Sequence, residues 1–171
     1  RSSDGANVLP NSTQPAFEVD IVGGSLNVTL MQPTESPLEL FQNFTFNVSA
    51  NISCGGGPCG PVNGTIFYNL TAVYPNTELN GTVGHKPFYN FTNPVNLSCG
   101  YMDSGNTCYV TWMVNATGAI NTNWSLNVTA RAQFGNVIFQ NSTQPSFQIN
   151  IVNRGSLNVT LLNLTPSPLQ I

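Results

Sequence analysis

Charge is what this chain has least of. Four Lys/Arg and seven Asp/Glu make up 6% of 171 residues, against about 25% in an ordinary soluble domain. A net charge of −3 spread over so few ionisable side chains forms no basic patch. That removes the electrostatic footing for nucleic acid and for anionic membrane surfaces. The one histidine, His85, stands beside Lys86 and Pro87 with no Ser or Cys nucleophile motif around it, so no catalytic centre is expected. The seven carboxylates (Asp4, Glu18, Asp20, Glu35, Glu39, Glu78 and Asp103) form no acidic loop of the calcium type, and neither a metal nor a cofactor is expected. No run approaches the roughly 20 apolar residues of a membrane span. The chain does not open on a signal peptide, and it starts at Arg1 and stops at Ile171 inside an apolar pattern. It therefore reads as a mature or excerpted segment of something longer.

Something other than charge must keep this surface in water. The apolar share of 40% is near normal, and ten Phe, five Tyr and two Trp argue against a disordered chain. Asparagine is what stands out. Sixteen of the 24 asparagines lie in Asn-X-Ser/Thr, the acceptor pattern for N-linked glycan: Asn11, Asn27, Asn43, Asn47, Asn51, Asn63, Asn69, Asn80, Asn90, Asn96, Asn115, Asn123, Asn127, Asn141, Asn158 and Asn163. Composition alone would produce about four. An acceptor meets its glycosyltransferase outside the cytoplasm, so this density points to an extracellular or cell-surface protein whose sugars replace the missing charge. Asn163, followed by Pro166 just after its Thr165, is the acceptor expected to be skipped.

Four cysteines pair naturally by proximity, Cys54 with Cys59 across Gly55-Gly56-Gly57-Pro58 and Cys99 with Cys108 across eight residues. Three connectivities are formally open. Neither spacing is of the C-x2-C type, and a single histidine adds little to a zinc set. An oxidising, extracellular setting is the simpler reading.

The chain repeats itself. Asn11-Ser-Thr-Gln-Pro-Ala-Phe-Glu-Val-Asp-Ile-Val22 recurs as Asn141-Ser-Thr-Gln-Pro-Ser-Phe-Gln-Ile-Asn-Ile-Val152, and Ser25-Leu-Asn-Val-Thr-Leu30 recurs unchanged as Ser156 to Leu161. Thr34, Ser36, Pro37 and Leu38 then match Thr165, Ser167, Pro168 and Leu169. The period is about 131 residues, a tandem array seen through a window slightly longer than one unit. Residues 25–155 form one complete unit. Residues 1–24 read as the last strands of a preceding unit, or as a donated or linker strand, and 156–171 as the first strand of the next or one packing on a neighbour. Glu18, Asp20 and Glu39 become Gln148, Asn150 and Gln170 in the second copy, so no site in the array depends on those charges.

Inside the unit the apolar period is two. Phe44, Phe46, Val48, Ala50 and Ile52 alternate with polar residues that include Asn43, Asn47 and Asn51; Trp124, Leu126, Val128, Ala130 and Ala132 alternate with Asn123, Ser125, Asn127, Thr129 and Arg131. The same alternation marks Leu26 to Leu30 and Phe147 to Ile151, and further strands are expected at 65–74, 80–83, 95–98, 109–115 and 136–139. No segment shows a helical period. Seven to nine short strands between Gly, Pro and Asn turns describe an all-β, antiparallel, immunoglobulin-like β-sandwich. The sequon asparagines are expected mostly on its outward faces, and Trp112 and Trp124 in its core.

Phe44-Thr-Phe-Asn-Val-Ser-Ala-Asn-Ile-Ser-Cys54-Gly-Gly-Gly-Pro-Cys59-Gly, then Asn96-Leu-Ser-Cys99 and Cys108-Tyr-Val-Thr-Trp112-Met-Val-Asn-Ala-Thr-Gly118, resembles the tandem immunoglobulin-like repeats of archaeal surface proteins, of the CARDB type. The resemblance covers roughly residues 25–155. It implies an extracellular sandwich with two local disulfides, used in surface layers, stalks or fibres; archaeal thread filaments, whose subunits donate a strand to a neighbour, look like a related case.

The expected function is structural: a glycosylated repeat protein that forms a filament, stalk or coat, with copies of itself or adjacent repeats as its partners. The alternative is an adhesin or receptor-type module that uses loops at one end of the sandwich. With turns as short as Gly23-Gly24 and Asn153-Arg154-Gly155 between units, strands at the junction are expected to pack against the neighbouring domain.

Overall fold

The computed structural model describes residues 23–70, 74–91, 94–134 and 137–155. The expectations placed on residues 1–22 and 156–171, including acceptors Asn11, Asn158 and Asn163, lie outside the described residues. Eleven strands follow in chain order: β1 Ser25–Gln32, β2 Leu38–Phe41, β3 Phe44–Gly55, β4 Gly60–Leu70, β5 Thr77–Glu78, β6 Phe88–Asn90, β7 Leu97–Met102, β8 Thr107–Ala116, β9 Thr122–Phe134, β10 Val137–Ser142 and β11 Phe147–Val152. Among the described residues no helix is long and apolar enough to cross a membrane.

They form two sheets. The first runs β1-β3-β8-β6; the second runs β2-β11-β9-β4-β5, with β10 beside β11 on the edge of β9 and β7 beside β5 on the edge of β4. That is the two-sheet order of an immunoglobulin-like sandwich, a four-strand sheet facing a sheet centred on the β4-β9-β11 triplet. Alternation explains the packing. Val48, Ala50 and Ile52 of β3 and Trp112 and Val114 of β8 meet Ile66 of β4 and Leu126 and Val128 of β9 in a fully buried layer. Phe88 sits at the centre of an aromatic cluster, edge-on to Tyr68 at 5.9 Å, Trp124 at 5.9 Å and Phe46 at 6.4 Å. Such edge-to-face pairs add about 0.5–1.5 kcal/mol each beyond area burial. Trp112 is fully buried, donates its indole N–H to Val95 O at 2.7 Å, and lies 3.3 Å from the point where a Cβ on Gly64 would be. A side chain at position 64 would push the indole out of place.

Three expectations need correction. The second sheet is mixed, because β2 pairs with β11 in parallel, Ile149 opposite Leu38 and Val152 opposite Phe41. The chain crosses between sheets at Pro33 and Pro37, which have no N–H to give to a ladder. Residues 80–83 are not a strand: Asn80 makes an isolated bridge to Tyr89 and the rest is turn, built on Thr82 N–H donating to Asn80 Oδ1. The strand count exceeds nine because β2, β5 and β6 are only four, two and three residues long, too short for a period of two to show.

Candidate functional site

Among the described residues the features that stand out are the two poles of the sandwich and the asparagine faces between them. Among the described residues no group of three or more His, Cys, Asp or Glu comes together to hold a metal.

At one pole the chain enters. Ser25 opens β1 opposite Gly55, the last residue of β3. The hairpin that follows is closed by Cys54–Cys59, with Cα atoms 6.1 Å apart, and Cys99–Cys108, at 5.7 Å, joins β7 to β8. Each disulfide thereby staples one sheet to the other at the same end. Backbone bonds interlock them: Cys59 N–H donates to Met102 O, Cys54 N–H to Asn106 O, and Gly105 N–H to Cys54 O. Closing loops this short stabilises by about 2–3 kcal/mol each on chain entropy. Gly24 lies inside this structure. A Cβ there would stand 2.7 Å from Gly57 O, 2.8 Å from Pro58 O and 2.8 Å from Cys59 Sγ, distances that real Cβ atoms do not adopt.

At the opposite pole the chain leaves. β3 runs the full length of the sandwich, and its twelve residues span about 40 Å; its first residue, Phe44, pairs with Ala116. Around it, Asn43 and Asn121 make left-handed turns at φ 66 and 61°, a conformation asparagine tolerates. Gln42 Nε2 donates to Gly118 O at 2.8 Å and Asn121 N–H to Ile151 O. Phe41, Phe44 and Ile120 are 40%, 46% and 40% exposed at this end, and the Arg154 guanidinium lies 5.7 Å over the Phe41 ring. Gly155 has nothing within 4 Å of its would-be Cβ.

The acceptor asparagines divide three ways. Asn27 on β1, Asn47 on β3, Asn43 at the exit turn, Asn96 before β7 and Asn123 on β9 are exposed. Asn51, Asn63, Asn69, Asn80 and Asn141 are half-buried, and Nδ2, the atom a glycan would take, is already donated by Asn69 to Asn76 Oδ1 and by Asn141 to Leu26 O at 2.7 Å. Asn90, Asn115 and Asn127 are buried, at 2%, 8% and 0% exposure. Asn90 donates to Pro94 O, and Asn115 to Asn43 O and Thr45 Oγ1.

These three are buried instead of open to solvent, and β9 shows why. Its second face is flanked by β4 on one side, Phe67 opposite Asn127, and by β10 and β11 on the other. There Ser125 exchanges hydrogen bonds with Gln148, Thr129 meets Ser142 at 2.8 Å, and Val128 N–H donates to Thr143 Oγ1. Over residues 125–129 both faces of this central strand are therefore buried, while Asn123 and Arg131 on either side stay exposed. Asn127 is left with neither amide atom hydrogen-bonded among the described residues. Beside it the sheet carries a trough of about 440 Å³ lined by Asn63, Thr65, Phe67, Glu78, Asn96 and Arg131.

Alternation located the faces but not the poles. The one sequence sign of the entry clamp is that Gly24 recurs as Gly155 in front of the repeated Ser-Leu-Asn-Val-Thr-Leu.

No family model matches the chain, and a search of curated proteins finds no match. Among solved structures the chain is similar to the ASH/PapD-like domain 7 of human CEP192, at TM-score 0.42 and 10% identity over 91% of this chain and 99% of that one. It is also similar to a family 123 glycoside hydrolase from Clostridium perfringens, at 0.41 and 8%, over 76% of this chain and 28% of that one. Neither likeness bears on the function of this chain.

Proposed function

We propose that this chain is a structural repeat: an extracellular, N-glycosylated, immunoglobulin-like unit joined end to end in a filament, stalk or surface coat. One observation carries the reading. The chain enters at one pole and leaves at the other, and the sequence of β1 begins again at Ser156, four residues after β11 ends at Val152. Units so connected extend in a line rather than fold back on each other. Two disulfides, Cys54–Cys59 and Cys99–Cys108, favour an oxidising compartment. The acceptors on open faces, Asn27, Asn43, Asn47, Asn96 and Asn123, are those that would carry sugar in the folded array.

The test is glycopeptide mass measurement on native material together with electron images. Occupancy at those five acceptors, none at Asn127, and regular fibres are the expected result; bare acceptors at all five would end the coat reading. An adhesion module is the second reading, and the trough beside Phe67 and Arg131 favours it. Asn63 and Asn96 stand on the rim of that trough, so a glycan on either closes it. An adhesion site there requires both to be bare and the isolated unit to retain a target.

A further inference from the structure

The two poles offer different environments to equivalent residues. Gly24 and Gly155 hold the same place in the repeat, each directly before Ser-Leu-Asn-Val-Thr-Leu. Gly24 is clamped between Gly57 O, Pro58 O and Cys59 Sγ, whereas Gly155 meets no such clamp among the described residues. The clamp belongs to the unit that follows the glycine, since Gly24 is held by the hairpin of the unit it introduces. We infer that the exit pole of each unit is capped by the entry pole of the next, with the next unit's copy of the Cys54–Cys59 hairpin closing over Gly155. This rests on the end-to-end reading above and adds the surfaces that meet.

Chain length makes contact unavoidable. From Val152, the last residue of β11, to Ser156, the repeat of Ser25, there are four Cα steps, a reach of at most about 14 Å. With Gly155 taken into the clamp, only Asn153 and Arg154 are left as spacer, and Arg154 already lies against Phe41. Two poles that close bring Phe41, Phe44 and Ile120 within side-chain reach of the next unit's hairpins. Those three are among the larger exposed apolar side chains, and they lie where a partner must sit. The facing surface complements them. The entry pole presents exposed Tyr101 and, in the 103–106 turn bonded to Cys54, exposed Asp103. In a chain with four basic and seven acidic residues, an arginine at one pole and an aspartate at the other is a directional pairing. An exposed ion pair adds little affinity, so this one orients, while the apolar contact and the clamp hold.

The consequence is a stiff array in which each disulfide hairpin locks the linker before it. The test uses the full chain, 1–171, continued by a second copy of residues 41–155, so that 156–171 becomes the start of a complete second unit. One spin label on each unit reports the distance between them. A single narrow distance is expected. Gly155→Val, whose side chain the clamp cannot hold, broadens the distribution about twofold, toward that of a control with ten Gly/Ser residues inserted after Gly155. Melting of both units is unchanged by the spacer, and Gly155→Val leaves the first unit unchanged while lowering the melting of the second, whose copy of the clamp it enters. A distribution as broad as the spacer control in the unmodified fusion, or no response to Gly155→Val, overturns the inference. Should that happen while native material still forms fibres, the end-to-end reading stands and only the docking falls.

Discussion

The entry and exit poles of this sandwich are built on opposite plans. The entry pole is closed on itself: two disulfides join the sheets, backbone bonds cross between the hairpins, and Gly24 leaves no room for a methyl group. The exit pole has no such staple among the described residues; it is closed by hydrogen bonds from Gln42 to Gly118, Asn43 to Ala116, Gly118 to Pro87 and Asn121 to Ile151, and shows Phe41, Phe44 and Ile120 to solvent. Burying those three side chains would stabilise the unit. The difference teaches that, among the described residues, the covalent staples between the sheets stand at one end of the unit, while the other end is closed by hydrogen bonds and packing.

Removing the staples should produce the largest change. With Cys54, Cys59, Cys99 and Cys108 all replaced by Ala, the unit is expected to lose about 5 kcal/mol, with a fall in Tm on the order of 15 °C by calorimetry. A loss under about 1 kcal/mol would mean that the entry pole is not the rigid one. Next comes the glycine pair. In this chain Gly24→Val forces β1 away from the hairpin and is expected to cost about 3 kcal/mol, while Gly155→Val, in open space, stays within about 0.5 kcal/mol. Equal effects in urea unfolding would erase the contrast between poles.

Smaller effects sharpen it. Phe41→Ala removes a half-exposed ring and its contact with the Arg154 guanidinium, and about 1 kcal/mol is expected; a greater cost in an array than in a single unit would assign the ring to the junction. Asn127→Val, which exchanges a buried amide without partners for a strand-favouring apolar side chain, is expected to raise stability by about 1 kcal/mol. Alkali gives the least. Burial holds the Tyr68 hydroxyl above its ordinary value of 10.0, so the folded state keeps the proton where the unfolded chain releases it. The stabilisation is therefore whole below pH 10 and declines above it; Tyr68→Phe should flatten that decline in a pH series of melting curves.

Much of this was legible in the sequence, and the parts that were not share a cause. The alternation at Leu26 to Leu30, Phe44 to Ile52 and Phe147 to Ile151 reads as β1, β3 and β11 because each shows its second face at least partly to water. The same alternation at 123–131 misleads, since Ser125, Asn127 and Thr129 look like a solvent face yet are buried. Polar residues in a central strand satisfy each other across the ladder, and no local pattern distinguishes that from hydration. Proximity was enough for both cysteine pairs, whose loops are too short to leave much choice. It said nothing of their joining two sheets at one end.

The sequence by itself determined a β-rich unit of about 131 residues, its repetition, its dearth of charge and its excess of acceptor asparagines, because periodicity and composition are local quantities carried by each segment. Which asparagines face water, which end of the unit is locked, and that the chain enters and leaves at opposite poles were decided only by the tertiary structure. Those properties depend on which strands lie side by side, and the pairing of β9 with β4, β10 and β11, like the meeting of the two disulfide hairpins, brings together residues whose separation along the chain hides that they are neighbours.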